Sequence, residues 1–396
     1  MTPCRISANP YICGYIPKDY AGNTPEGNVK IDCSLGVNAD LLGNCIFQRL
    51  HAFQQKTDIY NGDYAEIKYY PHGESLKHAL ADWYHRNHVG EGWLTEKNFI
   101  LGNGSYDILC NLNLLCLTHG QKVLGRAPQF TAYIDHVNCS GSSYECYYLD
   151  KAQNYRFDAA GYIACMSAEY RLFIVENPNN PTGQAIPLAA LRSIAQRAQA
   201  LGRILVVDEA YAEYIPFASS AINLVAEFPQ LIVTRSFSKG WGMAGVRLGY
   251  AVASTESDLL EQLSKLVLPF NSNGIARALA ETALQTKLEH PQDPFGILPV
   301  KQSKRELSEA VARYSRQFGK PLRIAETYDS TPILMLYYDG DPGFHLQRHL
   351  MKSGILTVSC ESYVGLDSRA VRLMLPERSS IPLLLTLLAQ AVQSLP

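Results

Sequence analysis

Three short apolar runs in the middle of the chain, each followed by polar residues, constrain the fold most. They are residues 172–175 (LFIV), 204–207 (ILVV) and 231–234 (LIVT). Runs of this length and composition are typical of strands buried on both faces of a parallel sheet. Apolar residues at helical spacing in 188–201 predict a right-handed crossover between the first two strands. We therefore expect an α/β protein with a mostly parallel central sheet flanked by helices.

The polar residues after these runs form a candidate ligand site. Asn180 follows the first run, Asp208 and Tyr211 follow the second, and Lys239 follows the third. Ligands of open parallel sheets bind outside the carboxyl ends of the strands, so these side chains are expected to meet there. Taken singly, each has an ordinary alternative. Asn180 would be a turn former, Asp208 a turn or N-cap carboxylate, Tyr211 a core tyrosine and Lys239 a solvated surface charge.

The segment 236–250 (SFSKGWGMAGVRLGY) places an amine beside groups suited to a phosphate. Ser238 directly precedes Lys239, Ser236 lies three positions before it, and Arg247 follows eight residues after the lysine, among several glycines. A lysine amine forms a Schiff base with an aldehyde, while hydroxyls and a guanidinium bind a phosphate dianion. Pyridoxal 5'-phosphate carries both groups on one ring, so the segment indicates this cofactor.

Together the motifs resemble those of the class I/II aminotransferases of fold-type I, and among these the histidinol-phosphate aminotransferase branch. The motifs are NPNNPTG at 177–183, DEAY at 208–211, SFSK at 236–239, YYP at 69–71, GNGS at 102–105 and LPFNSN at 268–273. The resemblance covers about three quarters of the chain. It implies a large cofactor-binding α/β domain, expected at residues 46–285, and a smaller α+β domain, expected at residues 1–45 and 286–396.

The resemblance also implies a role for each candidate residue. Lys239 would hold the cofactor and act as general base and acid, Asp208 would face the pyridine nitrogen, and Tyr211 and Asn180 would face the phenolic oxygen. The implied phosphate ligands are Ser236, Ser238, Arg247, the helix start at Gly104, Ser105 and Tyr106, and Tyr70 from the neighbouring subunit. Phe130 would stack on the pyridine ring. Outside the resemblance, Phe130 would be a core residue and Arg247 a surface arginine.

Arg372 is the candidate for binding a substrate carboxylate. The odd-numbered residues of the predicted strand 371–375 form one apolar face, so Arg372 points to the other side, toward solvent or the cleft. The resemblance favours the cleft, with Gly36 and Asn180 as further substrate contacts, and guanidinium geometry suits a carboxylate. The N-terminal loop 35–40 (LGVNAD) differs from the Asn-Glu-Asn-Pro usual among these aminotransferases, and Pro332–Ile333 replaces their Asn-Phe. These departures leave the amino acid substrate open.

Composition agrees with a small-molecule enzyme. The net charge is -2 and no block of like charges or membrane-length apolar stretch occurs, so we expect neither a nucleic-acid nor a membrane partner and no metal. We expect a cytoplasmic homodimer with shared active sites. The favoured activity is transfer of an amino group from an amino acid to a keto acid. The alternatives are β/γ-elimination or cyclisation of a hydroxylated, arginine-derived amino acid, of the capreomycidine or enduracididine type, and decarboxylation on the same scaffold.

Overall fold

The computed structural model describes residues 10–13, 15, 25–34, 36, 70–71, 74–289 and 293–396. Tyr69, most of the loop 35–40 and residues 290–292 lie outside the described residues.

The described strands are numbered in chain order. They are β1 (Ile31–Asp32), β2 (Phe99–Gly102), β3 (Lys122–Ala127), β4 (Ser143–Tyr148), β5 (Tyr170–Glu176), β6 (Ile204–Asp208), β7 (Leu231–Ser236), β8 (Gly249–Ala253), β9 (Leu322–Ile324), β10 (Ile333–Tyr338), β11 (Ile355–Leu356), β12 (Val358–Ser359) and β13 (Ala370–Met374).

The described α-helices follow the same numbering. They are α1 (Pro10–Cys13), α2 (Ser75–Arg86), α3 (Ser105–Cys116), α4 (Thr131–Cys139), α5 (Ala159–Cys165), α6 (Leu188–Ala200), α7 (Leu259–Ser264), α8 (Gly274–Glu289), α9 (Ile297–Phe318), α10 (Leu346–Lys352) and α11 (Ile381–Gln393). None of these helices combines the length and apolar character needed to cross a bilayer, within the described ranges.

The central sheet has seven strands in the order β2-β8-β7-β6-β5-β3-β4. Only β8 runs antiparallel to its neighbours in this sheet. The register pairs Glu176 with Asp208 and Asp208 with Thr234, so β5, β6 and β7 end at one edge. This architecture confirms the predicted mostly parallel α/β sheet.

Both faces of the central sheet are buried, because the side chains of its strands alternate between the two faces. In β5, Phe173 and Val175 pack into a core with α2, α6 and α8, whereas Leu172 and Ile174 pack into a second core with α3, α4 and α7. Successive strand residues point to opposite faces, so an uninterrupted apolar run is what burial on both faces requires. The helices therefore leave the strand ends as the accessible part of the sheet.

The C-terminal part is α+β, as expected. Its four-stranded sheet has the order β12-β13-β10-β9, and β1 pairs in parallel with β11. Ile31 and Cys33 join this core together with α9, α10 and α11. Residues 355–359 form two short strands with different partners, because the Thr357 carbonyl between them accepts a bond from the Gln347 side chain at 2.8 Å.

The domain boundary after residue 285 stays a prediction. Helix α8 extends through that position, and its residues Ala276 to Leu284 pack on the core of the large sheet.

Candidate active site

The Lys239 amine lies beside Tyr211 and Gly36, at the edge of the sheet where β7 ends. Its Nζ is 5.4 Å from the centroid of the Tyr211 ring. A methyl group built on Gly36 would lie 3.0 Å from this Nζ and 2.8 Å from the Tyr211 Oη. Only a residue without a side chain allows the N-terminal segment to pass this close to the amine.

Tyr211 presents an unpaired hydroxyl at this point. Its side chain is buried, yet its Oη has no hydrogen-bond partner among the described residues. A buried polar group left without a partner costs about 1–3 kcal/mol. A ligand that accepts a hydrogen bond here would remove that cost.

Asp208 ends β6 and is buried next to Thr234. The Thr234 Oγ1 donates a hydrogen bond of 2.9 Å to the Asp208 Oδ1. Burial raises the pKa of Asp208 to about 6, while the bonds from Thr234 and the Ala210 backbone act in the opposite direction. At neutral pH the carboxylate is therefore mostly ionised and is stabilised by a positively charged ligand atom.

Asn180 is held from two sides. Its backbone N–H donates to the Glu176 Oε2 at 3.0 Å. Its side-chain Oδ1 accepts a bond of 3.2 Å from the Tyr363 Oη. Because the amide oxygen is occupied, the two Nδ2 hydrogens are the donors that Asn180 offers to a ligand.

The Glu176 carboxylate joins the turn that carries Asn180 to the loop that carries Phe130. Its Oε1 accepts from the Phe130 backbone N–H at 2.9 Å, and its Oε2 accepts from the Asn179 Nδ2 at 2.8 Å. Burial and the neighbouring Asp208 raise the pKa of Glu176 to about 8. One buried carboxyl therefore sets the separation of two parts of the site.

Ser236, Ser238 and Arg247 converge on the start of α3. Arg247 Nη1 donates to the Ser238 Oγ at 3.4 Å, and Ser238 N–H donates to the Ser236 Oγ at 3.0 Å. Gly104 precedes the helix with φ 87°, and a methyl group on it would lie 2.8 Å from the Arg247 Nη2. Hydroxyls, a guanidinium and a helix N-terminus together are suited to an anion.

Ser105 and Tyr106 begin this helix. Ser105 is its first residue, and a methyl group on Gly249 would lie 2.5 Å from the Ser105 backbone N, so β8 passes directly behind the helix start. The Tyr106 Oη donates to the Ala132 carbonyl at 2.9 Å. The Tyr106 side chain thus contacts α4. The anion contact expected for the Tyr106 backbone N–H stays a prediction.

The aromatic candidates differ in exposure. Phe130 is half-buried and meets the Tyr106 ring edge-on at 5.9 Å. Tyr70 is 71 % exposed and stacks on Phe270 with ring centroids 4.4 Å apart.

Arg372 is buried rather than exposed to solvent. It lies in β13 between Val358 of β12 and Met335 of β10. Its Nη2 donates to the Ser34 carbonyl at 2.6 Å, and its Nε is buried without a partner among the described residues. A buried guanidinium with an unpaired N–H in apolar surroundings is a strong anion receptor.

The aminotransferase class I and II family model matches residues 30–373 of the chain. The protein belongs to this family. It is 37% identical over 224 residues to histidinol-phosphate aminotransferase 1 of Cupriavidus pinatubonensis (strain JMP 134 / LMG 1197), a match covering 56% of each chain. The alignment thus spans little more than half the length of this curated relative.

Solved structures of the same fold include enzymes of two kinds. Histidinol-phosphate aminotransferase from Sinorhizobium meliloti, in complex with pyridoxal-5'-phosphate, superposes with a TM-score of 0.77 at 21% identity and full coverage of both chains. A decarboxylase from Sulfurospirillum multivorans superposes with a TM-score of 0.73 at 20% identity, covering 93% of this chain and 90% of that chain. The aminotransferase fold predicted from the sequence is confirmed.

Four residues that contact the candidate site were not predicted from the sequence. They are Ser34, Glu176, Thr234 and Tyr363. For Glu176 and Thr234 a signal was available, because each is a polar residue at the end of an apolar strand run. Ser34 and Tyr363 lie in segments whose local sequence contains no comparable pattern.

Proposed function

We propose that the protein is a pyridoxal 5'-phosphate-dependent aminotransferase that moves an amino group from an amino acid to a keto acid. The observation that carries the proposal is the meeting of the Lys239 amine, the unpaired Tyr211 hydroxyl and the Asp208 carboxylate at one edge of the sheet. Membership of the aminotransferase family supports it.

The side chains fit each part of this cofactor. Ser236, Ser238, Arg247 and the start of α3 form a cradle for its phosphate. The Tyr211 hydroxyl and the Asn180 amide suit a phenolic oxygen, and the raised pKa of Asp208 fits a site completed by a protonated ring nitrogen. Phe130 is placed to cover a ring face. When bound, the cofactor supplies an aldehyde that captures an amine and a ring that accepts electrons from the substrate Cα.

Lys239 and Asp208 carry the chemistry of this chain. The Lys239 Nζ removes the proton from the substrate Cα as a general base and later returns a proton as a general acid. The ionised Asp208 carboxylate holds a proton on the ring nitrogen, since opposite charges in a buried site favour each other's charged form.

Arg372 orients the substrate. Its buried, incompletely paired guanidinium binds the α-carboxylate, with the Asn180 amide and the Gly36 backbone as further contacts. The donors are fixed before the substrate arrives, so little ordering is needed when it binds.

We also propose a homodimer with shared sites, in which Tyr70 contacts the phosphate of the neighbouring subunit. Tyr70, Leu268 and Phe270 are 71%, 74% and 55% exposed and form apolar surface that a second subunit would cover. Light scattering checks the proposal, and full activity in a monomer would remove Tyr70 from the site. The large domain is proposed to comprise residues 46–285 and the small domain residues 1–45 and 286–396.

A cytoplasmic location is proposed from the cysteines. Among the described residues, Cys33, Cys116 and Cys360 are buried free thiols, which is usual for a reducing compartment.

The proposed activity is tested with the purified protein, pyridoxal 5'-phosphate and a panel of amino acids and keto acids. The expected result is equimolar production of a new keto acid and a new amino acid, with absorbance changes of the bound cofactor. Release of CO2 with an amine would indicate decarboxylation. Repeated turnover to a dehydrated or cyclised product without a keto acid would indicate elimination or cyclisation.

A further inference from the structure

Tyr363 connects the two sides of the candidate site. It lies in the loop between β12 and β13 and is buried, with 6% exposure. Its Oη donates to the Asn180 Oδ1 at 3.2 Å. Tyr363 follows β12, the strand that pairs with β13 at Arg372, so it ties the amide assigned to the cofactor to the part of the site that carries Arg372.

Hydrogen-bond chemistry sets the direction of this bond. A carbonyl oxygen only accepts, so the Tyr363 Oη donates its proton to the Asn180 Oδ1. Burial raises the pKa of the Tyr363 phenol well above its ordinary value, so the proton stays in place at working pH. The bond therefore runs from Tyr363 to Asn180.

This direction determines which end of the Asn180 amide faces the ligand. An amide can rotate to exchange its oxygen and nitrogen, which have opposite hydrogen-bonding roles. The Tyr363 proton binds only the oxygen, so the nitrogen is left to donate. Donation to the amide oxygen also polarises the amide, which strengthens its N–H groups as donors.

We propose that Tyr363 is a positioning residue that fixes the Asn180 amide as a donor toward the cofactor and the substrate. The proposal rests on the proposed function, because it assigns Asn180 to a phenolic oxygen of the cofactor. It adds a residue to both recognition tasks at once.

Tyr363→Phe removes one oxygen and tests the proposal. The pH midpoint of the absorbance of the bound cofactor should move upward, because a weaker donor at Asn180 stabilises the deprotonated form less. The KM for a carboxylate-bearing substrate should rise by about three- to tenfold, the effect of one lost hydrogen bond. The variant's Tm should match that of the control variant.

Tyr337→Phe is the matched control. The Tyr337 Oη donates to the Asn154 Oδ1 at 3.0 Å, and Tyr337 packs in the same buried cluster as Tyr363. The Tyr337→Phe substitution removes the same type of bond from the same core, so the pH midpoint and the KM of this variant should equal those of the wild type.

Asn180→Ala is the second variant and does not depend on the folding of the Tyr363 variant. It should raise the midpoint at least as much as Tyr363→Phe, and adding Tyr363→Phe to it should raise the midpoint no further. An unshifted midpoint in Asn180→Ala, fully additive shifts in the double variant, or equal behaviour of Tyr363→Phe and Tyr337→Phe would each overturn the inference. A wild-type protein that forms no Lys239-dependent absorbance band would overturn the proposed function, and the inference with it.

Discussion

The candidate site has two walls that are built in different ways. The sheet-edge wall, formed by Asn180, Asp208 and Lys239, comes from strand ends that are neighbours in one parallel sheet. The small-sheet wall, formed by Tyr363 and Arg372, depends on contacts with distant segments at Ser34 and Asn180. The groups assigned to the cofactor are thus set by regular strand pairing, and those assigned to the substrate by long-range packing.

The walls also differ in polarity. Several hydroxyls, amides and charges share the sheet-edge wall, so each group has polar neighbours. In the small-sheet wall, Arg372 is flanked across the strands by Val358 and Met335. A change in the first wall should therefore alter chemistry and pH dependence, whereas a change at Arg372 in the second wall should alter the binding of one anion.

Two adjacent acids show how strand alternation separates a structural from a functional role. Glu209 faces Arg235, whose Nη1 lies 2.8 Å from its Oε2, and also accepts from Ser220. Asp208 points to the opposite side and accepts from Thr234. The ion-paired residue belongs to the core, while the residue with the raised pKa belongs to the site.

The largest effect is expected in the sheet-edge wall, from Lys239→Ala. Removing the general base should lower turnover by at least about 10³-fold, and the absorbance band of the attached cofactor should disappear. Activity assays measure the turnover, and absorbance spectra recorded over a range of pH measure the band. Lys265→Ala, which removes an exposed lysine, serves as the control. Attachment that borohydride still reduces in Lys239→Ala would contradict the assignment.

The next largest effect is expected in the small-sheet wall, from Arg372→Ala. The kcat/KM for a carboxylate substrate should fall by an amount equivalent to about 2–5 kcal/mol, the range for unpairing a buried charge. An amine substrate without the carboxylate should lose much less. Arg369→Ala is the control, because Arg369 pairs with Asp367 at 2.6 Å outside the wall. A loss confined to kcat would not fit anchoring by Arg372.

Glu176→Gln should change how the stability of the cofactor-free protein depends on pH. Because the pKa of Glu176 is raised to about 8, its contribution to stability is present below the ordinary pKa and is lost as pH rises toward 8. The neutral variant should therefore gain on the order of 1–3 kcal/mol relative to the wild type between pH 5 and pH 8. Urea unfolding at both pH values measures the gain.

Glu169→Gln is the matched control for this pH effect. A hydrogen bond from Lys122 lowers the pKa of Glu169, so its stability contribution changes only at lower pH. The difference between this variant and the wild type should be constant from pH 5 to pH 8. A constant difference in Glu176→Gln as well would show that Glu176 does not titrate in this window.

The smallest effect is expected from Thr234→Val. The bond from Thr234 lowers the pKa of Asp208, so its loss should move the acid limb of the kcat/KM profile to higher pH. The rate at neutral pH should fall by about two- to tenfold, as for one hydrogen bond. Thr386→Val, at a helix hydroxyl that donates to the Pro382 carbonyl, should leave the profile unchanged. A shift toward lower pH would contradict this role of Thr234.

The sequence by itself determined the sheet-edge wall to a large extent. Apolar runs long enough for buried strands, each followed by polar residues, predicted that Asn180, Asp208, Tyr211 and Lys239 would meet at one edge. The prediction was possible because parallel strands align their ends, so that local patterns translate directly into position. The resemblance of the motifs to those of the aminotransferases predicted the α+β character of the C-terminal part.

The tertiary structure alone decided the small-sheet wall. Strand periodicity left Arg372 between solvent and cleft, and its burial involves a bond to Ser34, 338 positions away. Tyr363 reaches Asn180 across 183 positions, and residues 355–359 divide into two strands because the Gln347 side chain occupies a carbonyl between them. Periodicity describes which face of its own strand a residue occupies. It contains no information about which distant segment packs against that face, because this depends on the packing of the whole chain.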